Sequence, residues 1–295
     1  MSLQMREQFG VTTTDLLDND LSVALVLADI SEQYFTDAIA RHPDRVVNLG
    51  IREQLAVNVG AGFAMTGMRP IVHTIASFLV ERSFEQIKLG FSHQDVGGVL
   101  VSNGASYDIS QGGRTHQSPG DVALIDTLPD WTVHVPGHPT ELDTLLRDAV
   151  AGSGRAYVRT SVQGNREAYP TGGFHVVRRG GQGTVVAVGP LLDNVLEAVT
   201  GLDVTVLYAA TVRPFDADTL VNTLGTADVA IVEPYAVGTS AAVASSALGH
   251  VPHRLESVGV PRVEVRRYGT PDDHEAEHCL DPAGLRRTLT DFFTS

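Results

Sequence analysis

Short runs rich in β-branched residues return along this chain at intervals wide enough to hold a helix, and that alternation admits few folds. Residues 22–28, 46–49, 71–75, 99–102, 132–135 and 156–159 read as buried strands. Helical patterns over 31–42, 51–66, 77–92 and 139–151 separate them, the last opened by Pro139-Thr140-Glu141 with its proline in the first turn. Such an alternation calls for a mostly parallel sheet with helices on both faces. Residues 164–183 interrupt it; rich in Gly, Pro and charge, they carry no sustained period and read as a linker holding one short strand. Beyond them, strands are expected at 184–188, 204–208, 229–233 and 263–266, with helices at about 191–200, 216–224, 238–249 and 282–293. The expected fold is α/β: two doubly wound domains with mostly parallel sheets, over residues 1–165 and 184–295, with a linker at 166–183.

Charge and cysteine usage exclude several function classes. A net charge of −14, with no basic cluster longer than Arg178-Arg179 or Arg266-Arg267, argues against a nucleic-acid surface and gives no help at an anionic membrane. No apolar run reaches the length of a membrane span, and the N-terminus lacks a basic-then-apolar signal pattern, so a cytoplasmic location is expected. The single cysteine, Cys279, allows no internal disulfide and no cysteine-based metal site within one chain. His274 and His278 stand one helical turn apart, a spacing that suits a metal, but no third ligand accompanies them and a solvated helix face is expected. Glu233, beside Pro234, reads as structural. Walker, GxGxxG, HExxH and GxSxG motifs are all missing.

Two places look chemical. From residue 55 to 65 only Asn58 is polar, so this helix is expected to be buried nearly all round. Glu53 heads it, on the same face as Ala56, Val57, Gly60 and Ala64. A carboxylate there is either a first-turn acid favoured by the helix dipole or a group kept for chemistry. The second place is the glycine-rich, polar loop at 102–120, which carries His116. That loop follows an expected parallel strand, at the end where open α/β sheets put their ligands. A lone loop histidine is otherwise most often a solvated one.

The run Gly50-Ile51-Arg52-Glu53-Gln54, then Gly67-Met68-Arg69-Pro70, Phe78 and Thr115-His116-Gln117, resembles the pyrimidine-binding domain of transketolases and of the related 1-deoxyxylulose-5-phosphate synthases. The second half resembles the transketolase C-terminal domain, through Val188-Gly189, Arg213-Pro214-Phe215-Asp216 and Val232-Glu233-Pro234. The resemblance covers the chain from about residue 5. It implies thiamine diphosphate as cofactor. Glu53 would hydrogen-bond the aminopyrimidine N1′ and Phe78 would stack on the ring. Ile75 stands where many transketolases have a second aromatic, and Asp29 matches an acid near the cofactor, although a strand-end cap explains Asp29 nearly as well. His116 would contact a substrate oxygen and assist proton transfer.

The departures from the family are equally specific. No GDG…N motif for Mg²⁺ and the diphosphate is present, and Gly120-Asp121-Val122 lacks the second glycine. The resemblance therefore implies the second half of a split enzyme, with Mg²⁺ and the diphosphate held by an N-terminal transketolase-like subunit that carries the GDG motif, in an α₂β₂ assembly. The family's hydroxyl-reading aspartate, four residues before His116, is Gly112; an upstream histidine is Gly104; the phosphate-binding arginine is Gln163. Losing a guanidinium removes a bidentate, permanently charged contact. Arg82, Arg114 or Arg159 would have to compensate, and the substrate, a small sugar or 2-oxo compound, need not be an ordinary sugar phosphate. The implied activity is two-carbon ketol transfer from a ketose donor to an aldehyde-type acceptor. An E1 β-type subunit of a 2-oxo acid dehydrogenase, or a synthase loading a carrier, is the alternative within this chemistry, and a non-catalytic binding or regulatory subunit is the rival outside it.

Overall fold

The computed structural model describes residues 3–295. Its strands are β1 (Val23–Leu27), β2 (Val46–Asn48), β3 (Arg69–Ile75), β4 (Gly98–Asn103), β5 (Trp131–His134) and β6 (Arg155–Arg159), followed by β7 (Phe174–Arg178), β8 (Thr184–Val188), β9 (Thr205–Ala209), β10 (Thr211–Arg213), β11 (Asp228–Ala236) and β12 (Arg254–Val260). They form a seven-stranded sheet in the order β10-β5-β6-β4-β3-β1-β2 and a five-stranded sheet in the order β12-β11-β8-β9-β7. Among the described residues all these pairings are parallel except β10 on β5 and β7 on β9. The middle strands are covered on both faces, β1, β3, β6, β8 and β9 being buried along their whole lengths. That is why β1, β8 and β9 read as near-continuous apolar runs, while β3 and β6 carry His73 and Arg159 buried on partners.

β10 decides how the halves meet. It lies in sequence between strands of the second sheet, yet it pairs with the edge of the first. Around this seam the Glu141 carboxylate accepts from Gly137 N at 2.8 Å, Tyr169 N at 2.8 Å and the Tyr208 hydroxyl at 2.5 Å. Asn165 Nδ2 donates to Gly189 O at 3.0 Å. These bonds satisfy polar groups that the contact buries. Among the described residues no helix is long and apolar enough to cross a membrane.

Several expectations are corrected. Met5–Asn19 is a helix with no counterpart in the sequence reading. Its Thr12-Thr13-Thr14 run and Gly10 have poor helix propensity, which tertiary burial of Phe9 and Leu17 overrides. The strand expected at 263–266 is absent; β12 takes the sheet position instead, and in that segment Val263, Glu264 and Arg266 are exposed while Val265 alone is buried. The helix Glu53–Met65 is not buried all round: Glu53, Ala56, Val57, Gly60 and Ala61 face inward, while Leu55 is 45% and Met65 54% exposed. His274 and His278 are both buried, not solvated. The helix Pro271–Glu277 turns them onto Tyr107 of the first half, His274 lying parallel to the phenol ring at 5.8 Å. Glu233 is buried and accepts from Thr239 N at 3.1 Å and Ser240 N at 2.9 Å, as a structural carboxylate does.

Candidate active site

In the first sheet, β2 lies on one side of β1, and β3, β4 and β6 lie on the other. The chain therefore reverses its direction of travel across the sheet between β1 and β3, the crevice where open α/β sheets bind ligands. Asp29 follows β1 and Ile75 ends β3 at that crevice. Glu53 opens the helix after β2, Phe78 follows β3, and His116 ends the loop after β4. The carboxyl ends of neighbouring parallel strands thus gather residues that are far apart in sequence.

Three of these side chains, together with Arg82, form a connected row. The Glu53 carboxylate, only 3% exposed, accepts from Arg82 Nη1 at 2.8 Å. The Arg82 guanidinium lies over the Phe78 ring, 4.0 Å from its centroid, and the His116 imidazole meets the same ring edge-on at 5.1 Å. Burying a carboxylate requires such a partner. Sequence reasoning supplied a small apolar face for Glu53 and set Arg82 toward a substrate anion; the structure pairs Arg82 with Glu53 instead.

Phe78 owes its position to an irregular helix. Residues Ser77–Glu81 and Ile87–His93 adopt π-type turns on either side of a short α-turn, Phe84–Gln86. Such turns insert an extra residue and are frequent at functional sites. Ser83 is buried at the junction and its hydroxyl donates to Phe78 O at 3.0 Å.

The His116 loop is held from both domains. Thr115 Oγ1 lies 2.9 Å from His116 Nδ1, and Ser77 Oγ donates to Thr115 O at 3.1 Å. Arg114 reaches Glu264 Oε1 at 3.2 Å and Glu81 Oε2 at 3.8 Å. From the second half, Gly269 O accepts from Ser110 Oγ at 2.7 Å and Arg267 O from Gln117 Nε2 at 3.1 Å. Tyr268 packs on Gly113, where an added Cβ would meet its ring at 2.6 Å. Tyr268 and Glu264 were not singled out in the sequence, since nothing local marks a residue for a contact about 150 positions away.

The altered positions have steric reasons. A Cβ on Gly112 would lie 2.8 Å from the His116 ring, so a side chain there and this histidine position are mutually exclusive. Gly104 takes φ +73°, a conformation that favours glycine. Ile75 is buried beneath this turn, its Cγ2 3.6 Å from where a Gly104 Cβ would stand, and it does not join the row. Asp29, also left-handed at φ +67°, is exposed beside Glu32, Gln33 and Thr36. Gln163 does not join either: its Nε2 donates to Glu275 Oε1 at 2.6 Å across the seam between the halves. Arg159 is wholly buried in an ion pair with Asp121 at 2.8 Å, so it has no free guanidinium to offer a phosphate.

The family model described as "Transketolase, pyrimidine binding domain" matches residues 1–167. The chain belongs to the transketolase family. The model of the transketolase C-terminal domain matches residues 172–285. An uncharacterized 33.6 kDa protein in the fasciation locus of Rhodococcoides fascians is 52% identical over 96% of this chain and 93% of its own length. The 1-deoxy-D-xylulose-5-phosphate synthase 2 of Geobacter sulfurreducens is 30% identical over 96% of this chain, which spans about half (48%) of that protein. One of the subunits of the apulose-4-phosphate transketolase of Actinobacillus succinogenes is 28% identical over 70% of each chain. Among solved structures, a split gene transketolase described as an inactive beta4 tetramer superposes with a TM-score of 0.86 at 24% identity, over 100% of this chain and 99% of that one. That likeness shows that the two share a fold.

The residues fit the pyrimidine half of thiamine diphosphate. A buried carboxylate with an aromatic face close by forms a seat for a flat, nitrogen-rich ring, and a planar, nitrogen-bearing cation rests on both. Among the described residues no three His, Cys, Asp or Glu side chains gather as a metal site.

Proposed function

We propose that this chain is the pyrimidine-binding half of a two-chain, thiamine-diphosphate-dependent transferase, moving a two-carbon ketol unit from a ketose donor to an aldehyde-type acceptor. We assign its halves to residues 1–165 and 184–295, joined at 166–183, a segment whose strand β7 is added to the second sheet, and place the chain in the cytoplasm. The observation that carries the reading is the Glu53–Arg82–Phe78–His116 row at the crevice between β1 and β3. When bound, thiamine diphosphate supplies a thiazolium carbon that adds to a carbonyl and spreads the resulting negative charge. Glu53 would hold the hydrogen bond at the pyrimidine N1′, and Phe78 would stack on the ring. His116, oriented by Thr115, holds and moves a proton at a substrate oxygen. Arg114 lies on the same rim, available to a substrate anion at the cost of its bonds to Glu81 and Glu264.

The diphosphate and Mg²⁺ belong, in this reading, to a partner chain carrying a GDG motif, paired as α₂β₂. Support comes from exposed apolar side chains around the helix that Glu53 opens: Leu55 and Met65 on it, Ile51 just before it, and Leu89 on the helix that packs against it through Gly90 and Ala61. Exposed apolar side chains near a buried carboxylate suit an interface. The Actinobacillus relative is named as one subunit of a transketolase for apulose 4-phosphate, which supports both the split and the substrate class. The commitment of Gln163 and Arg159 to Glu275 and Asp121 favours keeping carrier-bound or unphosphorylated two-carbon donors as the second reading. The test is ketose cleavage by the chain co-expressed with its diphosphate-binding partner. Cleavage that is lost in Glu53→Ala supports the proposal; no cleavage of any ketose, with Glu53→Ala indistinguishable from wild type in cofactor binding, refutes it.

A further inference from the structure

We propose that Arg82 is an internal plug: its guanidinium occupies the seat of the pyrimidine ring and must swing out before the cofactor enters. The inference rests on the reading of Glu53 and Phe78 as the pyrimidine seat.

A guanidinium shares with an aminopyrimidine a flat shape and a nitrogen-rich edge, and it adds a positive charge that is drawn to an aromatic face and to a carboxylate. Arg82 uses these features. Nη1 donates to Glu53 Oε2 at 2.8 Å, and Cζ lies 4.0 Å from the Phe78 centroid. A ring stacked on Phe78 and bonded to Glu53 would need the volume that the guanidinium fills. The two cannot be present together.

The local structure lets the plug leave. Arg82 is 41% exposed, and among the described residues Nη1 to Glu53 is the sole side-chain hydrogen bond of its guanidinium. It stands between the turn Ser77–Glu81 and the turn Phe84–Gln86, where regular α-helix is interrupted, so its side chain is not locked into a continuous helix surface. Glu53, by contrast, is fixed at a helix start and nearly sealed from water. A buried carboxylate with no partner is costly. The arrangement therefore makes sense for a chain synthesised without its cofactor: Arg82 keeps Glu53 paired until a better planar partner arrives. Affinity for that partner is lowered by the fraction of molecules in which the plug is seated.

The test titrates the full chain with thiamine, which carries the aminopyrimidine but needs no diphosphate site, using ligand-observed NMR. Arg82→Met removes the charge at similar length; Arg82→Lys keeps the charge and loses the flat stack. We expect Arg82→Met to bind thiamine about tenfold tighter than wild type, on the scale of one stacked ion pair, with Arg82→Lys between them. The Arg82 side-chain Nε resonance of wild type should move on thiamine addition. If Arg82→Met loses stability, its binding is read at a temperature where its circular dichroism matches wild type. Equal or weaker binding by Arg82→Met, with binding lost in Glu53→Gln, overturns the plug and leaves the cofactor reading intact. No binding by any variant, and none of thiamine diphosphate to the chain co-expressed with its partner, overturns both.

Discussion

The two halves are built alike, yet their crevices have opposite fates. In the five-stranded sheet, β9 lies on one side of β8 and β11 on the other, so this sheet also has a reversal point, between β8 and β11. There the protein fills it with itself. Glu233 turns inward to two backbone amides, Gly189 abuts Val135 so closely that a Cβ would lie 2.6 Å from it, and Asn165 caps the Gly189 carbonyl. In the seven-stranded sheet the same feature is left accessible, with Arg82 and Asp29 reaching solvent above a buried glutamate. Both sites hold a buried carboxylate. One is satisfied by fixed backbone donors, the other by a movable side chain. Topology marks where a ligand can go, and the partner of the carboxylate decides whether one does.

That contrast can be broken experimentally. Replacing Glu53 with Gln should lower ketose cleavage by about 10²- to 10⁴-fold, the usual scale for an acid–base group, with little change in the melting curve. An equal effect from Glu233→Gln on turnover would erase the distinction. Next in size, Arg159→Met should cost about 3–5 kcal/mol in denaturant unfolding, because it leaves Asp121 buried and unpaired. Changing Asp121 to Asn in the same chain should recover much of that loss if the pair is structural. Glu233→Ala should cost about 1–3 kcal/mol by stranding the Thr239 and Ser240 amides, and leave thiamine binding unchanged.

A smaller effect depends on pH. Burial drives the His73 imidazole down to about 3, with its Nδ1 on Val101 O and its Nε2 facing Ser31 Oγ. Its folded value lies below the unfolded one, so its contribution is complete above about pH 6.5. It is lost as pH falls toward 3, at up to about 1.4 kcal/mol per pH unit. His73→Gln should flatten the acid limb of a stability–pH profile by one proton. The smallest expected change in fold stability comes from Leu55→Asp, within about 0.5 kcal/mol for an exposed position. The same change should abolish association with a partner chain in size-exclusion chromatography, and undiminished assembly would remove that helix face from the interface.

Much of the architecture was readable because parallel strands buried on both faces are rich in apolar, often β-branched residues, as β1, β8 and β9 are. Every such run from 22 to 208 became a strand, and the helix over 139–151 begins and ends where its proline and glycine place it. What failed was local evidence for non-local burial. The threonine-rich helix Met5–Asn19 is held by a core that its own sequence does not advertise. His274 and His278 have the spacing of a solvated or metal-binding face and became packing for Tyr107. The outer side of the helix after Glu53 reads as core and lies open.

For the site, the sequence by itself determined the residue types: a carboxylate at a helix start, an aromatic after one strand and a histidine after the next. Covalent order and strand periodicity put all three at one sheet edge. Only the tertiary structure decided their partners. The guanidinium of Arg82 against Glu53, the Gln163–Glu275 bond and the Tyr268 lid on Gly113 join elements whose separation in the chain carries no periodic signal. Hydrogen bonds and ion pairs of this kind depend on angstrom-scale approach after the sheets have packed, so no pattern of neighbours along the chain encodes them.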